Sequence, residues 1–180
     1  MGHVDRDIVL SRAAVVELLV LDVDGVLTDG SIVYTSGGEQ ILSFHVHDGL
    51  GIKLLQQQGV RVAIISSRLG PALEKRAEEL GINLFYQGIH DKMACFQDIL
   101  NDLSIPAEKA AAVGDDLVDL PVLRSAGLSV TVSNAASGMS DYVDYVTSKP
   151  GGSGAVREVC ELILMAKQQW AGCVDKYLSF

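Results

Sequence analysis

The sequence predicts an α/β protein built on a doubly wound, three-layer, Rossmann-like parallel sheet, with a β-hairpin inserted after the first strand. Three observations carry that expectation. Short apolar, β-branched runs alternate with helical patterns along the chain. Several of those runs stop abruptly in polar residues, the place where open α/β sheets gather their ligands. At 180 residues the chain is long enough for one ordinary core without staples, so a single domain over residues 1–180 is expected.

Taken in order, the apolar runs at 18–21, 61–65, 84–86, 110–113, 129–132 and 142–146 read as buried strands, each too short for a helix. Between them, residues 50–58, 71–80, 92–103 and 119–126 read as helices, with Pro71 suited to a first turn. The insertion at 31–46 breaks this rhythm. Its flanks, 31–35 and 40–46, surround Ser36-Gly37-Gly38-Glu39 and predict a hairpin standing off the sheet. Two strands alone are marginal in water, which points to a partner for the hairpin. The glycine-rich stretch Lys149-Pro150-Gly151-Gly152-Ser153-Gly154 precedes an amphipathic helix over 155–170 and a polar tail. That stretch reads either as a plain linker or as a set of backbone amides at a helix N-terminus facing an anion.

The run Leu18-Leu19-Val20-Leu21-Asp22-Val23-Asp24-Gly25 carries the most chemistry. Residues i and i+2 of a strand share a face, so Asp22 and Asp24 are expected to project together from the carboxyl edge of the sheet. Two carboxylates held that close repel, and either a divalent cation or a raised pKa on one of them relieves it. The bland alternative is a strand-end turn with an Asp cap and a Gly. Partners at other strand ends decide between them. Val62-Ala63-Ile64-Ile65 runs into Ser66, whose hydroxyl can donate to a phosphate oxygen, and Arg68, whose fork suits phosphate or carboxylate; Ser66 also reads as a helix cap. Lys92 opens a helix, where the macrodipole disfavours a cation, so it reads as a neutraliser of bound anion or as a surface lysine. Gly114-Asp115-Asp116-Leu117-Val118-Asp119 places three acids in five residues after another buried strand, more than a turn needs and suited to a hard cation such as Mg²⁺.

Composition narrows the classes further. Every apolar run is broken well before the ~20 residues that cross a bilayer, so no membrane span is expected. The first seven residues contain no basic stretch leading into an apolar one, so no secretory leader is expected. A formal charge of −9 without a Lys/Arg cluster argues against a nucleic-acid or anionic-membrane partner, and an anionic substrate must be held by a few local cations. Cys95, Cys160 and Cys173 are odd in number and lack CxxC spacing, which argues against a disulfide framework or zinc site and for a reducing cytoplasm.

In chain order, the strand ends deliver Asp-x-Asp, Ser, Lys and Gly-Asp-Asp-x-x-Asp. That order resembles the haloacid dehalogenase superfamily of phosphotransferases, whose four motifs match Asp22/Asp24, Ser66, Lys92 and Asp115/Asp119. Residues 22–30, 48–52, 114–122 and 154–159 extend the similarity to its cap-less phosphatases of sugar acids, over nearly the whole chain from about 17 to 167.

The resemblance implies that Asp22 is the nucleophile, forming an aspartyl-phosphate, and that Asp24 is the general acid and base. It implies Mg²⁺ held by Asp22, Asp115 and the backbone carbonyl of Asp24, with Asp119 orienting the cluster from behind. Ser66 and Lys92 would position the phosphoryl oxygens. Substrate contacts are implied at Asp24, His45, Val46, His47, Asp48, Gly49, Lys53, Arg68, Arg76 and Lys92. The chain departs from the group in having His47-Asp48-Gly49 where Arg-Asp-Gly is usual, and Ser66-Ser67-Arg68 where Thr-Gly-Arg or Ser-Gly-Arg is usual. His47 is a weaker, pH-dependent cation. With no room for a cap domain, the resemblance implies a homotetramer in which hairpins associate and a neighbour's carboxyl-terminal segment completes the pocket. Residues 31–46 and 151–157 are the pieces available for those roles. The implied substrate is a phosphorylated eight-carbon sugar acid. The alternatives are a nine-carbon, sialic-acid-type substrate, a receiver-like signalling domain and a catalytically silent scaffold.

Overall fold

The computed structural model describes residues 5–178, so the leader reading on the first residues lies partly outside it. Strand β1 (Leu18–Leu21) lies near the centre of a six-stranded sheet and is buried along its whole length. It pairs in parallel with β4 (Arg61–Ile65) on one side and β6 (Ala110–Gly114) on the other. β5 (Leu84–Tyr86) extends the sheet beyond β4, and β7 (Leu128–Thr131) and β8 (Tyr145–Val146) extend it beyond β6. The order β5-β4-β1-β6-β7-β8 reverses direction at β1, which makes the carboxyl end of β1 the crevice of the fold.

Strand alternation sorts the core into two layers. Leu19 and Leu21, with Val62, Ile64, Ala111 and Val113, face one cluster; Leu18 and Val20, with Ala63, Ile65, Ala110 and Ala112, face the other. The first cluster is covered by α1 (Arg6–Ala14), α2 (Val46–Gln57), α3 (Pro71–Leu80) and α6 (Ala155–Ala166). The second is covered by α4 (Lys92–Leu103) and α5 (Leu120–Ser125), through Phe96, Ile99, Val122 and Leu123. The three-layer parallel architecture is the expected one.

Differences from the expected elements have local causes. Helix α1 carries little apolar signal because it buries only Val9 and Ala13, while Asp5 caps it by accepting the Asp7 N–H. The inserted hairpin is much shorter than expected: β2 (Val33–Tyr34) and β3 (Gln40–Ile41) pair antiparallel, and both are exposed. The second strand cannot run to residue 46, because His45 caps α2 by accepting the His47 N–H. α2 therefore begins four residues before the expected start. Gly49 and Gly51, which dilute its helical signal, are where α2 meets other side chains: a Cβ on Gly49 would lie 2.5 Å from Arg76 Nη2. α5 is preceded by a 3₁₀ turn, Leu117–Asp119, and another over Met139–Tyr142 shortens β8. The expected tail is a further helix, α7 (Trp170–Leu178), which buries Cys173; the break before it falls at Gln168, whose φ is 59°.

Candidate active site

Asp22 continues the β1 ladder, its N–H donating to Val113 O at 3.1 Å, and the chain then closes a turn in which the N–H groups of Val26, Leu27 and Thr28 all reach Val23 O. Thr28 sits inside this turn, its hydroxyl donating to Val23 O and accepting from Gly25 and Gly30 N–H. Gly25 is required twice over. Its φ is +80°, and a Cβ there would lie 2.0 Å from Asp115 Oδ2.

Three strand ends meet at Lys92. Asp91 caps α4 by accepting the Ala94 N–H, which sets Lys92 at the head of the helix. Its ammonium donates to Asp22 Oδ1 at 2.8 Å and Asp119 Oδ1 at 2.7 Å, with all three side chains buried. Asp119 Oδ2 accepts the N–H groups of Asp115 and Asp116, at 3.0 and 3.3 Å, and so shapes the turn that carries Asp115. One carboxylate oxygen each from Asp22, Asp115 and Asp119 lies within 4.8 Å of the others.

Electrostatics show the strain of gathering these acids. Burial, then the charge of Asp119, push Asp22 up to about 7 against the pull of Lys92. Burial, then Asp119 and Asp116, push Asp115 up to about 6. Burial alone would lower Lys92, but the carboxylates of Asp22 and Asp119 outweigh it and raise its pKa. One ammonium does not balance three carboxylates, so the donor set fits a divalent cation. Both oxygens of Asp119 are already committed, one to Lys92 and one to backbone amides. Asp22 and Asp115, in contrast, each keep a carboxylate oxygen that accepts no side-chain hydrogen bond among the described residues.

Asp24 points elsewhere. Its carboxylate accepts Arg68 Nε at 3.0 and 2.8 Å, outside the three-acid cluster. Ser66, 1% exposed, accepts the Arg68 N–H on its hydroxyl at 3.1 Å. It is not the cap of α3, which starts at Pro71 behind Gly70, so the helix-cap alternative for Ser66 is not realised. Arg68 Nη1 also donates to Gln40 Oε1 on β3, which fastens the hairpin to the site. Gln40 escapes sequence reasoning because a lone Gln on a two-residue strand carries no local signal.

The remaining residues expected to touch substrate form a second group at the head of α2. Val46 and His47 are exposed, and the rings of His45 and His47 meet edge-on at 4.9 Å. His45 Nδ1 is committed to the His47 N–H. Arg76 donates to His45 O at 3.4 Å and stacks over Phe44, and Gly49 packs beneath it. Lys53 is exposed one turn further along α2. Asp48 is buried, and its Oδ1 accepts the Arg157 N–H of α6 at 2.7 Å. Among the described residues no hydrogen bond or ion pair joins this group to the acidic cluster.

Residues 151–157, expected to be free for a neighbouring subunit or an anionic ligand, are committed within their own chain. Gly152 N–H donates to Val26 O at 2.9 Å and Gly151 N–H to Asn134 Oδ1 at 2.8 Å. The segment backs the Asp22 to Asp29 loop, where the Gly152 amide finds its acceptor, while Asn134 holds the Gly151 amide from the other side.

Comparison with known proteins agrees with this geometry. A family model described as haloacid dehalogenase-like hydrolase matches residues 85–159. The chain is 46% identical over 166 residues, 92% of its length and 88% of the relative's, to 3-deoxy-D-manno-octulosonate 8-phosphate phosphatase KdsC of Escherichia coli (strain K12). Among solved structures, the same phosphatase from Moraxella catarrhalis, in complex with magnesium ion, phosphate ion and KDO molecule, superposes with a TM-score of 0.94. It is 39% identical and covers 96% of this chain and 99% of its own. The Yersinia pestis phosphatase superposes with a TM-score of 0.91 at 45% identity, covering 92% of this chain and 90% of its own. The receiver reading does not survive these matches. With a TM-score of 0.94 to one such phosphatase and 46% identity to another over nearly its whole length, the chain belongs to the 3-deoxy-D-manno-octulosonate 8-phosphate phosphatases of the haloacid dehalogenase-like hydrolases.

Proposed function

We propose that the chain hydrolyses 3-deoxy-D-manno-octulosonate 8-phosphate to the free sugar acid and phosphate, with Asp22 as nucleophile. The observation that carries the mechanism is the buried Asp22–Lys92–Asp119 triad beside an Asp24 held separately by Arg68. Lys92 holds Asp22 Oδ1, which leaves Oδ2 to attack phosphorus. The bond from phosphorus to the sugar oxygen breaks as the new bond to Asp22 forms, and Asp24 gives its proton to the leaving oxygen. In the second step Asp24 takes a proton from water, whose oxygen displaces Asp22 from phosphorus and releases phosphate. Lys92 and Ser66 stabilise the charge on the phosphoryl oxygens, a role in which preorganised donors outperform water. Asp22, Asp115 and the Asp24 carbonyl would hold magnesium, which would supply further neutralisation of that charge.

Arg68, His45, Val46, His47, Gly49, Lys53 and Arg76 are assigned to the sugar acid, whose carboxylate needs a cation beyond those that serve the phosphate. Hairpin residues Ile32, Val33, Tyr34 and Ile41 expose apolar surface that a homotetramer would cover. The neighbour's contribution to the pocket is assigned to its carboxyl-terminal segment. No helix among the described residues is long and apolar enough to cross a membrane, and Cys95, Cys160 and Cys173 are free thiols, which supports a reducing, cytoplasmic setting for one phosphatase domain. The test is kcat/KM across phosphorylated sugar acids of eight and nine carbons, with Mg²⁺ and after chelation. The eight-carbon acid should stand well above the rest and lose turnover on chelation; a nine-carbon substrate in first place would overturn the assignment.

A further inference from the structure

Helix α6 begins without a side-chain cap of its own, since Gly154 occupies that position with a φ of 105°. The acceptor comes from another helix. Asp48, in the first turn of α2 and 1% exposed, takes the Arg157 N–H on Oδ1 at 2.7 Å across 109 residues of sequence. Its other oxygen is buried with no hydrogen-bond partner among the described residues. The two helices approach closely at Gly51, where a Cβ would lie 3.1 Å from Arg157 Cα.

What precedes α6 is the wall behind the loop that carries the acids. Gly152 donates to Val26 O; a Cβ on Gly151 would lie 1.6 Å from Gly25 O, and one on Gly152 would lie 2.4 Å from Asp29 N. Any shift of the α6 N-terminus is therefore transmitted by backbone contact to the turn between Asp22 and Asp29. A buried carboxylate with one oxygen unsatisfied is a poor way to stabilise a helix seam, which apolar residues fill without desolvation. Its geometry does serve to register two segments. We infer that Asp48 is a positioning residue: by capping α6 it holds the Gly151–Gly152 wall against the loop bearing Asp22 and Asp24. It thereby ties that loop to the α2 turn that presents His45, Val46 and His47.

The inference rests on the phosphatase reading. Its test is steady-state kinetics on 3-deoxy-D-manno-octulosonate 8-phosphate with the full chain and Mg²⁺. Asp48→Ala should keep KM within about twofold and lower kcat by about tenfold or more, the scale expected when reacting groups are misplaced by a fraction of an ångström. Asp48→Asn, which still offers Oδ1 to the Arg157 N–H, should stay within about threefold of the parent. Asn134→Ala, which releases the Gly151 amide from the other side of the wall, should lower kcat severalfold. Joined to Asp48→Ala, it should lose less than the product of the two effects. Should Asp48→Ala fail to fold by circular dichroism, Asp48→Ser, too short to reach the amide, takes its place with the same expectation. A kcat within twofold of the parent, a loss confined to KM, or an Asp48→Asn variant as impaired as the alanine would overturn the positioning role while the parent enzyme stays active. A parent with no turnover on any sugar-acid phosphate would instead overturn the functional reading beneath it.

Discussion

Replacing Asp115 with Asn should stabilise the metal-free protein while disabling the enzyme. Asp115 has its carboxyl pushed from 3.8 to about 6 by burial and by the charges of Asp119 and Asp116. A group raised in the folded state stabilises fully when protonated, below its unfolded pKa, and loses that contribution as pH rises through about 6. Two pKa units correspond to about 3 kcal/mol. Asp115 is partly exposed, so solvent screening reduces the figure to about 1 kcal/mol. In a chain of this length that is a rise of about 2–4 °C in Tm for Asp115→Asn at pH 8 in EDTA, shrinking to nothing near pH 4. With excess Mg²⁺ the order should invert, because a cation that binds only the folded parent stabilises it by mass action and the variant has lost a ligand. Thermal unfolding across pH 4–8, with EDTA and with Mg²⁺, reads all of this. An Asp115→Asn protein less stable than the parent in EDTA at pH 8, or one that gains as much from Mg²⁺, would refute the account of the acidic cluster.

Other outcomes follow from the same geometry. Lys92→Met leaves Asp22 and Asp119 buried without their shared cation; it should abolish turnover and destabilise the metal-free protein by about 3 kcal/mol at pH 8. That loss should shrink towards pH 5 as Asp22 takes up a proton, measured by thermal unfolding. Gly151→Ala, whose Cβ would lie 1.6 Å from Gly25 O, should yield a protein that is insoluble or at least about 3 kcal/mol less stable by denaturant titration. Arg68→Ala releases both Asp24 and Gln40. It should lower kcat/KM by about 10- to 100-fold for the sugar acid phosphate and by less for a phosphate monoester without a carboxylate. Tyr34→Glu with Ile41→Glu charges the exposed hairpin and should shift the assembly to smaller species in light scattering, leaving the monomer's far-UV spectrum unchanged.

The legibility of the fold varied with how local its causes are. β1, β4 and β5, and helices α3 and α4, fall at the expected bounds because each is a continuous apolar or amphipathic run bounded by polar or turn-forming residues adjacent to it in the chain. Helix α2 did not, since Gly49 and Gly51 are explained only by what packs on them from α3 and α6. The polar tail proved to be α7, because nothing as strong as proline or glycine marks the break at Gln168. The site shows the same division. Asp22, Asp24, Ser66, Lys92, Asp115 and Asp119 were visible as polar residues ending or following buried strands, and parallel strands carry such ends to one edge. Gln40 and the capping role of Asp48 were not visible, each being a single contact between segments far apart in the chain.

By itself, the amino-acid order determined the parallel α/β architecture, the four acid- or cation-bearing strand ends and the chemistry they share, since strand periodicity and motif spacing are properties of neighbouring residues. Tertiary structure alone decided that Lys92 bridges Asp22 and Asp119, that Asp24 turns to Arg68, and that the Gly152 amide is tied to the loop behind Asp22. Those pairings depend on which side chains the packed sheet brings within hydrogen-bond reach, and distance in space across a fold leaves no periodic trace in the chain.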